Sequence, residues 1–278
     1  MKKQVQVVVA DAAGNVTIFV KTPFDRSRYA AVASQLLANQ DLGGEQVAFI
    51  CSEDGIGKME MCGLEFCGNA SRTFGLMLAE QRGIKGTGTV EINVSGCDEN
   101  LLVNVDTLSG WARIKMPGYV SIKELDLSHL QLGICDANDN AKVPAIDFGG
   151  ILHIILKDVQ ATEKNFNRIK DLVYQTPELS HVPALGVMFY DTVQGKMTPV
   201  VYVKEVDTTY FEGSCGSGTT ACAVAFFNGK EDGIYEETFL QPAGAIHVLA
   251  QVNNGRVGDI YIDSPISYSE TLDVEIEI

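Results

Sequence analysis

The chain of 278 residues has no run of about 18 consecutive apolar residues, so it carries no membrane-spanning helix of ordinary length. It also lacks a cluster of lysine and arginine. Its 21 basic residues face 36 acidic ones, for a formal net charge of −15 and a pI near 4.6. A nucleic-acid binder shows a basic face, and that class is set aside. There is no Gly-rich phosphate loop and no lysine in an evident Schiff-base setting. The cysteine count is odd, at seven, which argues against a closed disulfide framework. The segment Met1–Val7 holds two lysines with no apolar core behind them. It reads as an alternating strand and not as a signal peptide. The expected compartment is the cytoplasm, where thiols stay reduced.

What is present is a chain long enough for one large core or two smaller ones, and a short segment that occurs twice. The first copy is Glu65-Phe66-Cys67-Gly68-Asn69-Ala70-Ser71, and the second is Ser214-Cys215-Gly216-Ser217-Gly218-Thr219-Thr220. An apolar run at helical spacing follows each: Phe74, Met77 and Leu78 after the first, and Ala221 to Phe227 after the second. Each cysteine therefore stands where a helix begins, beside free backbone N–H groups and the positive end of the helix dipole. Both effects favour a thiolate, so lowered thiol pKa values are expected at Cys67 and Cys215. The same N–H groups offer a site for a carboxylate. Cys51, Cys97, Cys135 and Cys222 read as small buried hydrophobes.

Strands are expected at 4–10, 16–20, 46–51, 56–62, 89–95, 101–106 and 112–116, with a helix over 26–39 capped by Asp25 and the first Cys helix ending near Gly83. Pro117-Gly118 closes this half. Residues 131–142 read as a polar, acidic loop. Strands then follow at 143–148 and 151–157, and a helix capped by Thr162. Further strands at 185–190 and 198–203 lead to the second Cys helix. Strands at 237–241, 245–251 and 257–263 follow, and a last one over 272–278 has no counterpart. The order strand, strand, helix, strand, strand, Cys helix, strand, strand thus occurs twice, which suggests a duplicated fold. The expected domains are 1–117, carrying Cys67, and 118–264, carrying Cys215, with the strand within 265–278 returning to the first.

Inverting an amino-acid α-carbon requires removing its proton from one face and returning one to the other. Two thiols on opposite faces meet this requirement, and helix N-termini aimed at the α-carboxylate stabilise the charge that develops there. The run Cys67-Gly68-Asn69-Ala70-Ser71-Arg72 resembles the first active-site motif of diaminopimelate epimerases, and Ser214-Cys215-Gly216-Ser217-Gly218-Thr219 resembles the second. Gly14-Asn15 and Glu45-Gln46 are similar to further segments of that family, and His153 falls near its Asn-Pro-His segment. The resemblance implies an α+β, diaminopimelate epimerase-like fold of two pseudo-symmetric domains, each a curved sheet or barrel around a central helix. It implies Cys67 and Cys215 as acid and base. The backbone of Gly68, Asn69, Gly216 and Ser217 would hold the α-carboxylate. Asn15 and Gln46 would position the substrate, and His153 and Glu205 would be supporting groups.

The family's Glu-Arg pair before the second motif is replaced by Glu205-Val206, which argues against a distal carboxylate on the substrate. Together with Gln241-Pro242-Ala243-Gly244, the motifs look closer to the histidine racemase branch, which includes enzymes of staphylopine-type metallophore pathways. The expected function is racemisation of an amino acid, first of all histidine, with no cofactor, no metal, no nucleic acid and no membrane, in a possible homodimer. Proline or hydroxyproline racemases are the alternative, although their first motif usually reads Cys-Gly-His, and diaminopimelate epimerase comes third. Readings of another class are a Cys₄ zinc site built from Cys62, Cys67, Cys215 and Cys222, and a thiol redox pair of Cys67 and Cys215.

Overall fold

The computed structural model describes residues 2–130, 132 and 142–277. Most of the expected loop at 131–142, and Cys135 within it, lie outside the described residues. In chain order the elements are β1 (Lys2–Ala12), β2 (Asn15–Val20), α1 (Tyr29–Ala38), β3 (Gln46–Ser52), β4 (Gly57–Met61), α2 (Gly68–Gln81), β5 (Thr87–Val94), β6 (Leu101–Asp106) and β7 (Trp111–Lys115). There follow β8 (Ser121–Asp126), β9 (Lys142–Asp147), β10 (Leu152–Lys157), α3 (Glu163–Gln175), β11 (Ala184–Asp191), β12 (Lys196–Val203), β13 (Thr208–Phe211) and α4 (Gly216–Phe227). The last four are β14 (Gly233–Leu240), β15 (Ala245–Asn253), β16 (Arg256–Tyr268) and β17 (Leu272–Glu277). The chain divides into two compact units, one of residues 1–115 with 262–278, the other of residues 116–261.

In the first unit the strands form a closed ladder. β1 pairs antiparallel with β2 on one edge, and with β17 and then the end of β16 on the other. From β2 the ladder runs parallel to β3, antiparallel to β4, parallel to β5, then antiparallel through β6 to β7. β7 pairs with β16, which closes the circuit. Closure leaves no free sheet edge along this path. α2 packs against β1, β4, β5, β6 and β7, and eleven of its fourteen residues are buried. α1 lies instead on β3 and β17, where Tyr29, Val32, Ala33 and Leu36 fill a core with Val5, Ile18 and Phe49.

The second unit repeats the plan. β9 and β10 form a hairpin, α3 crosses to the parallel β11, β11 and β12 are antiparallel, α4 crosses to the parallel β14, and β14 pairs with β15. The first unit follows the same sequence through α1 and α2. Thr162 caps α3, its Oγ1 accepting from Asn165 N–H at 3.2 Å, and Phe166, Ile169 and Val173 reach into a core with Leu156, Val187 and Val200. α4 packs against β9, β10, β11, β14 and β15. The expected α+β duplication is therefore present, with a buried helix inside each unit.

Three details differ from the sequence reading. β8 and β13 are strands that the periodicity did not single out; they pair with β9 and β12 respectively. The first helix begins at Tyr29 after a single 3₁₀ turn over Arg26–Arg28, and the Asp25 side chain makes no cap hydrogen bond. Among the described residues no helix is long and apolar enough to cross a membrane.

Candidate active site

Cys67 and Cys215 are both N-cap residues. Each has an extended backbone, at φ −128° and ψ 111° for Cys67 and φ −135° and ψ 112° for Cys215. That conformation turns the sulfur back over the first turn of the helix, as a serine cap does. Ala70 N–H donates to Cys67 Sγ at 3.5 Å and Gly218 N–H donates to Cys215 Sγ at 3.4 Å. The two caps match to the hydroxyl. Ser71 Oγ–H and Thr219 Oγ1–H each donate at 2.7 Å to the carbonyl of their cysteine. The N–H groups of Gly68 and Asn69, and of Gly216 and Ser217, are first-turn donors with no carbonyl a turn earlier to bond.

The surroundings of the two sulfurs differ. At Cys67, the Gln46 side-chain amide donates to Sγ at 3.3 Å and lies 2.7 Å from both Asn15 Oδ1 and Thr17 Oγ1. Asn15 Nδ2 in turn donates to Glu45 at 3.4 Å. Beneath the helix start, Arg72 is fully buried. Its guanidinium donates to Asn69 Oδ1 and to the Ser264 carbonyl. Burial pulls Arg72 down to about 10 against the opposing pull of Asp263, so it remains a cation at neutral pH. The structure thus brings Asn15, Gln46, Gly68 and Asn69 together around Cys67.

At Cys215, Ser217 Oγ lies 3.5 Å from the sulfur and His153 Nε2 lies 3.0 Å from Ser217 Oγ. His153 is wholly buried, and burial pushes its pKa down to about 3, so the imidazole is neutral. Gln241 holds the cap from behind: its Oε1 accepts from Cys215 N–H at 2.8 Å and its Nε2 donates to Thr219 Oγ1 at 2.9 Å. Glu205 is not part of this group. It sits exposed in the turn between β12 and β13, and Glu212, three residues before Cys215, is the carboxylate whose charge the thiol feels.

The expectation of acidified thiols is corrected. Burial raises Cys67, against the N–H groups of Ala70 and Asn69 and the Gln46 amide, which lower it. Burial raises Cys215 well above the ordinary thiol range, and Glu212 adds to the rise against Ser217 and the Gly218 N–H. The helix start acts as the sequence reading anticipated, but desolvation of the charged sulfur outweighs it. Cys222 lies inside α4 with its thiol on Met197 Sδ at 3.4 Å. Cys51 is exposed, against the buried reading, and its Sγ lies 3.6 Å from Tyr29 Oη.

The sequence reading assigned no role to Thr17, Arg72, Glu212 or Gln241. Arg72 and Gln241 lay inside quoted motifs, so the signal was available. Hydropathy gives no hint that an arginine is buried, and only the fold brings Gln241 to Cys215.

A matched pair of thiol caps thus stands on the two buried helices of a duplicated α+β fold, and solved structures share that fold. The structure of a predicted epimerase from Pseudomonas aeruginosa superposes with a TM-score of 0.65 at 12% identity, covering 98% of this chain and 99% of that one. A hydroxyproline epimerase from Agrobacterium vitis gives 0.61 at 12% identity, covering 98% and 93%. Fold and family together define an isomerase of the racemase and epimerase class. The chain belongs to the CntK histidine racemase family: the family profile "Histidine racemase CntK N-terminal domain" matches residues 4–271. A histidine racemase from Fusobacterium nucleatum is 31% identical over 276 residues, 96% of each chain.

Proposed function

We propose that this chain interconverts the enantiomers of histidine by a two-base mechanism in which Cys67 and Cys215 act on opposite faces of the α-carbon. The observation that carries the reading is the pair of equivalent N-cap thiols. One sulfur, as thiolate, takes the α-proton. The other, as thiol, gives its proton to the opposite face. The pair holds one proton before and after turnover, on the opposite sulfur, so the two enantiomers use the two protonation states in turn. The first-turn N–H groups of Gly68, Asn69, Gly216 and Ser217 bind the α-carboxylate and take up the charge that grows on it as the carbanion forms. Asn15 and Gln46 orient the substrate beside Cys67. His153 supports Cys215 through Ser217.

Family membership supports histidine. Val206 stands exposed in the same turn as Glu205, outside the group around Cys215, so its not being an arginine carries no weight on the substrate. The reaction in this reading needs only the free amino acid and the two thiols. The enzyme is proposed to work in the cytoplasm as a homodimer, which sedimentation velocity tests directly; a monomer at assay concentration refutes the dimer.

The deciding experiment is NMR of α-proton exchange in D₂O with reductant, on dialysed enzyme, with histidine, proline and diaminopimelate in the panel. Deuteration of histidine alone, with its other enantiomer appearing, is the expected result. Exchange of a different member keeps the mechanism and replaces the substrate. No exchange in any member sinks the reading.

A further inference from the structure

We propose that His153 is a positioning residue for Cys215: it fixes the Ser217 hydroxyl so that its hydrogen points at the sulfur and stabilises the thiolate. The inference rests on Cys215 as acid and base but not on the identity of the substrate.

His153 is buried in β10, directly opposite Gly186 of β11 in the parallel register. The ring lies over that glycine. A Cβ at Gly186 would stand 2.1 Å from Nδ1 and 2.6 Å from Cε1, so the absence of a side chain makes room for the imidazole. Phe148 meets the ring edge-on at a centroid distance of 5.9 Å. Nδ1 is buried without a hydrogen-bond partner among the described residues, whereas Nε2 is 3.0 Å from Ser217 Oγ.

These contacts select a tautomer. A neutral imidazole carries one N–H. A hydrogen on Nδ1 would be a donor facing carbon, and buried N–H groups left unpaired are rare. A hydrogen on Nε2 leaves only a lone pair unmet. The hydrogen is therefore assigned to Nε2, which donates to Ser217 Oγ. The hydroxyl of Ser217 has then received its donor, and its own hydrogen is free for Cys215 Sγ, 3.5 Å away. The opposite tautomer would use that hydrogen on Nε2 and leave the sulfur facing lone pairs. Cys67 has no such relay: the corresponding support comes from the Gln46 amide, whose hydrogens do not rotate.

The groups that act on the Cys215 charge are Glu212 from the preceding loop, the Gly218 N–H and Ser217. His153 acts through Ser217, and Gln241 bonds the backbone, not the sulfur. Glu212 opposes the thiolate equally in every variant below.

The test uses the full-length protein without substrate. Iodoacetamide labelling of the Cys215 and Cys67 peptides is followed by mass spectrometry against pH, and the midpoint of the rate profile is read for each. Ser217→Ala removes the hydrogen bond to the charged sulfur, so the Cys215 midpoint should rise by about one pH unit. His153→Leu leaves the hydroxyl but frees its orientation, so the midpoint should rise in the same direction by less. The Cys67 midpoint stays in place. The double variant should match Ser217→Ala alone, because the two groups act in series. His153→Gln, whose amide nitrogen can reach the position of Nε2, should restore the midpoint to within about 0.3 unit. An unchanged Cys215 midpoint in Ser217→Ala overturns the proposal, even if His153→Leu does not fold. So does an additive double variant, or an equal shift at Cys67. A failed exchange assay with histidine would leave this result untouched, so the two readings fail separately.

Discussion

At a single residue, the thiols show how far a local rule reaches. A helix N-terminus lowers a thiol pKa, and burial raises it. At Cys67 and Cys215 burial prevails. Both groups are therefore protonated near neutrality in the free enzyme, and the active pair needs one thiolate. The fraction with one thiolate grows as pH rises toward the lower pKa, that of Cys67, and falls only when Cys215 also ionises. Measured for both enantiomers, kcat/KM should rise between about pH 7 and about pH 9. A profile already falling over that range would mean that one thiolate is already formed at neutral pH and that the remaining thiol ionises within the range. Removing either thiol removes one proton-transfer partner, so Cys67→Ala or Cys215→Ala should cost at least about 10³ in racemisation, with the circular dichroism spectrum unchanged. The positions of these cysteines were legible because the motif places them before an apolar helix. The direction of their shifts was not legible, because it depends on what covers each sulfur. Glu205 and Glu212 teach the same lesson: the resemblance suggested the first, and the short strand β13 carries the chain past it to present the second.

At the scale of elements, periodicity located both buried helices and nearly every strand, because alternation and helical spacing are local signals. It passed over β8, which follows the Pro117-Gly118 break, and β13, which is four residues long. Packing distance is the other thing that pattern does not give. α2 approaches β6 so closely that a Cβ on Gly75 would lie 2.6–2.7 Å from the Val103 side chain. Alanine is the better helix former by about 1 kcal/mol. Overpacking a well-filled core costs about 1–3 kcal/mol, and Val103 is fully buried in a short β-branched side chain that has little freedom to move. Gly75→Ala should therefore destabilise by about 1 kcal/mol net, read as a lower urea midpoint at constant slope. A raised midpoint would mean that the helix shifts away from β6 at no cost.

Across the whole molecule, the net charge of −15 suggests that acidification relieves repulsion and stabilises the fold. Near the pI of about 4.6 that repulsion is at its least, and local groups decide. Among the described residues, each unit carries one buried acid-titrating group held well below its ordinary value. In the first, Glu60 is held near 2 by its ion pair with Arg26, from an ordinary value of 4.5. In the second, burial holds His153 near 3, from 6.5. Both folded-state values are depressed, so the unfolded chain binds the proton more readily and each contribution is lost as pH falls. For His153 the loss begins at 6.5 and ends near 3; for Glu60 it begins only at 4.5 and ends near 2. Between about pH 6.5 and about pH 4.5 the second unit alone is weakened by these two groups. The molecule offers a selective probe: its one tryptophan, Trp111, is in the first unit, bonded to Asp263 through Nε1 at 3.0 Å. Urea unfolding at about pH 7.5 and about pH 5.5 should lower the midpoint seen by circular dichroism and leave that seen by Trp111 fluorescence in place. His153→Leu should abolish the difference, since no imidazole then waits to be protonated. Equal falls in both midpoints would show that the two units unfold as one cooperative block, in which case acid acts on the chain as a whole and not on each core separately.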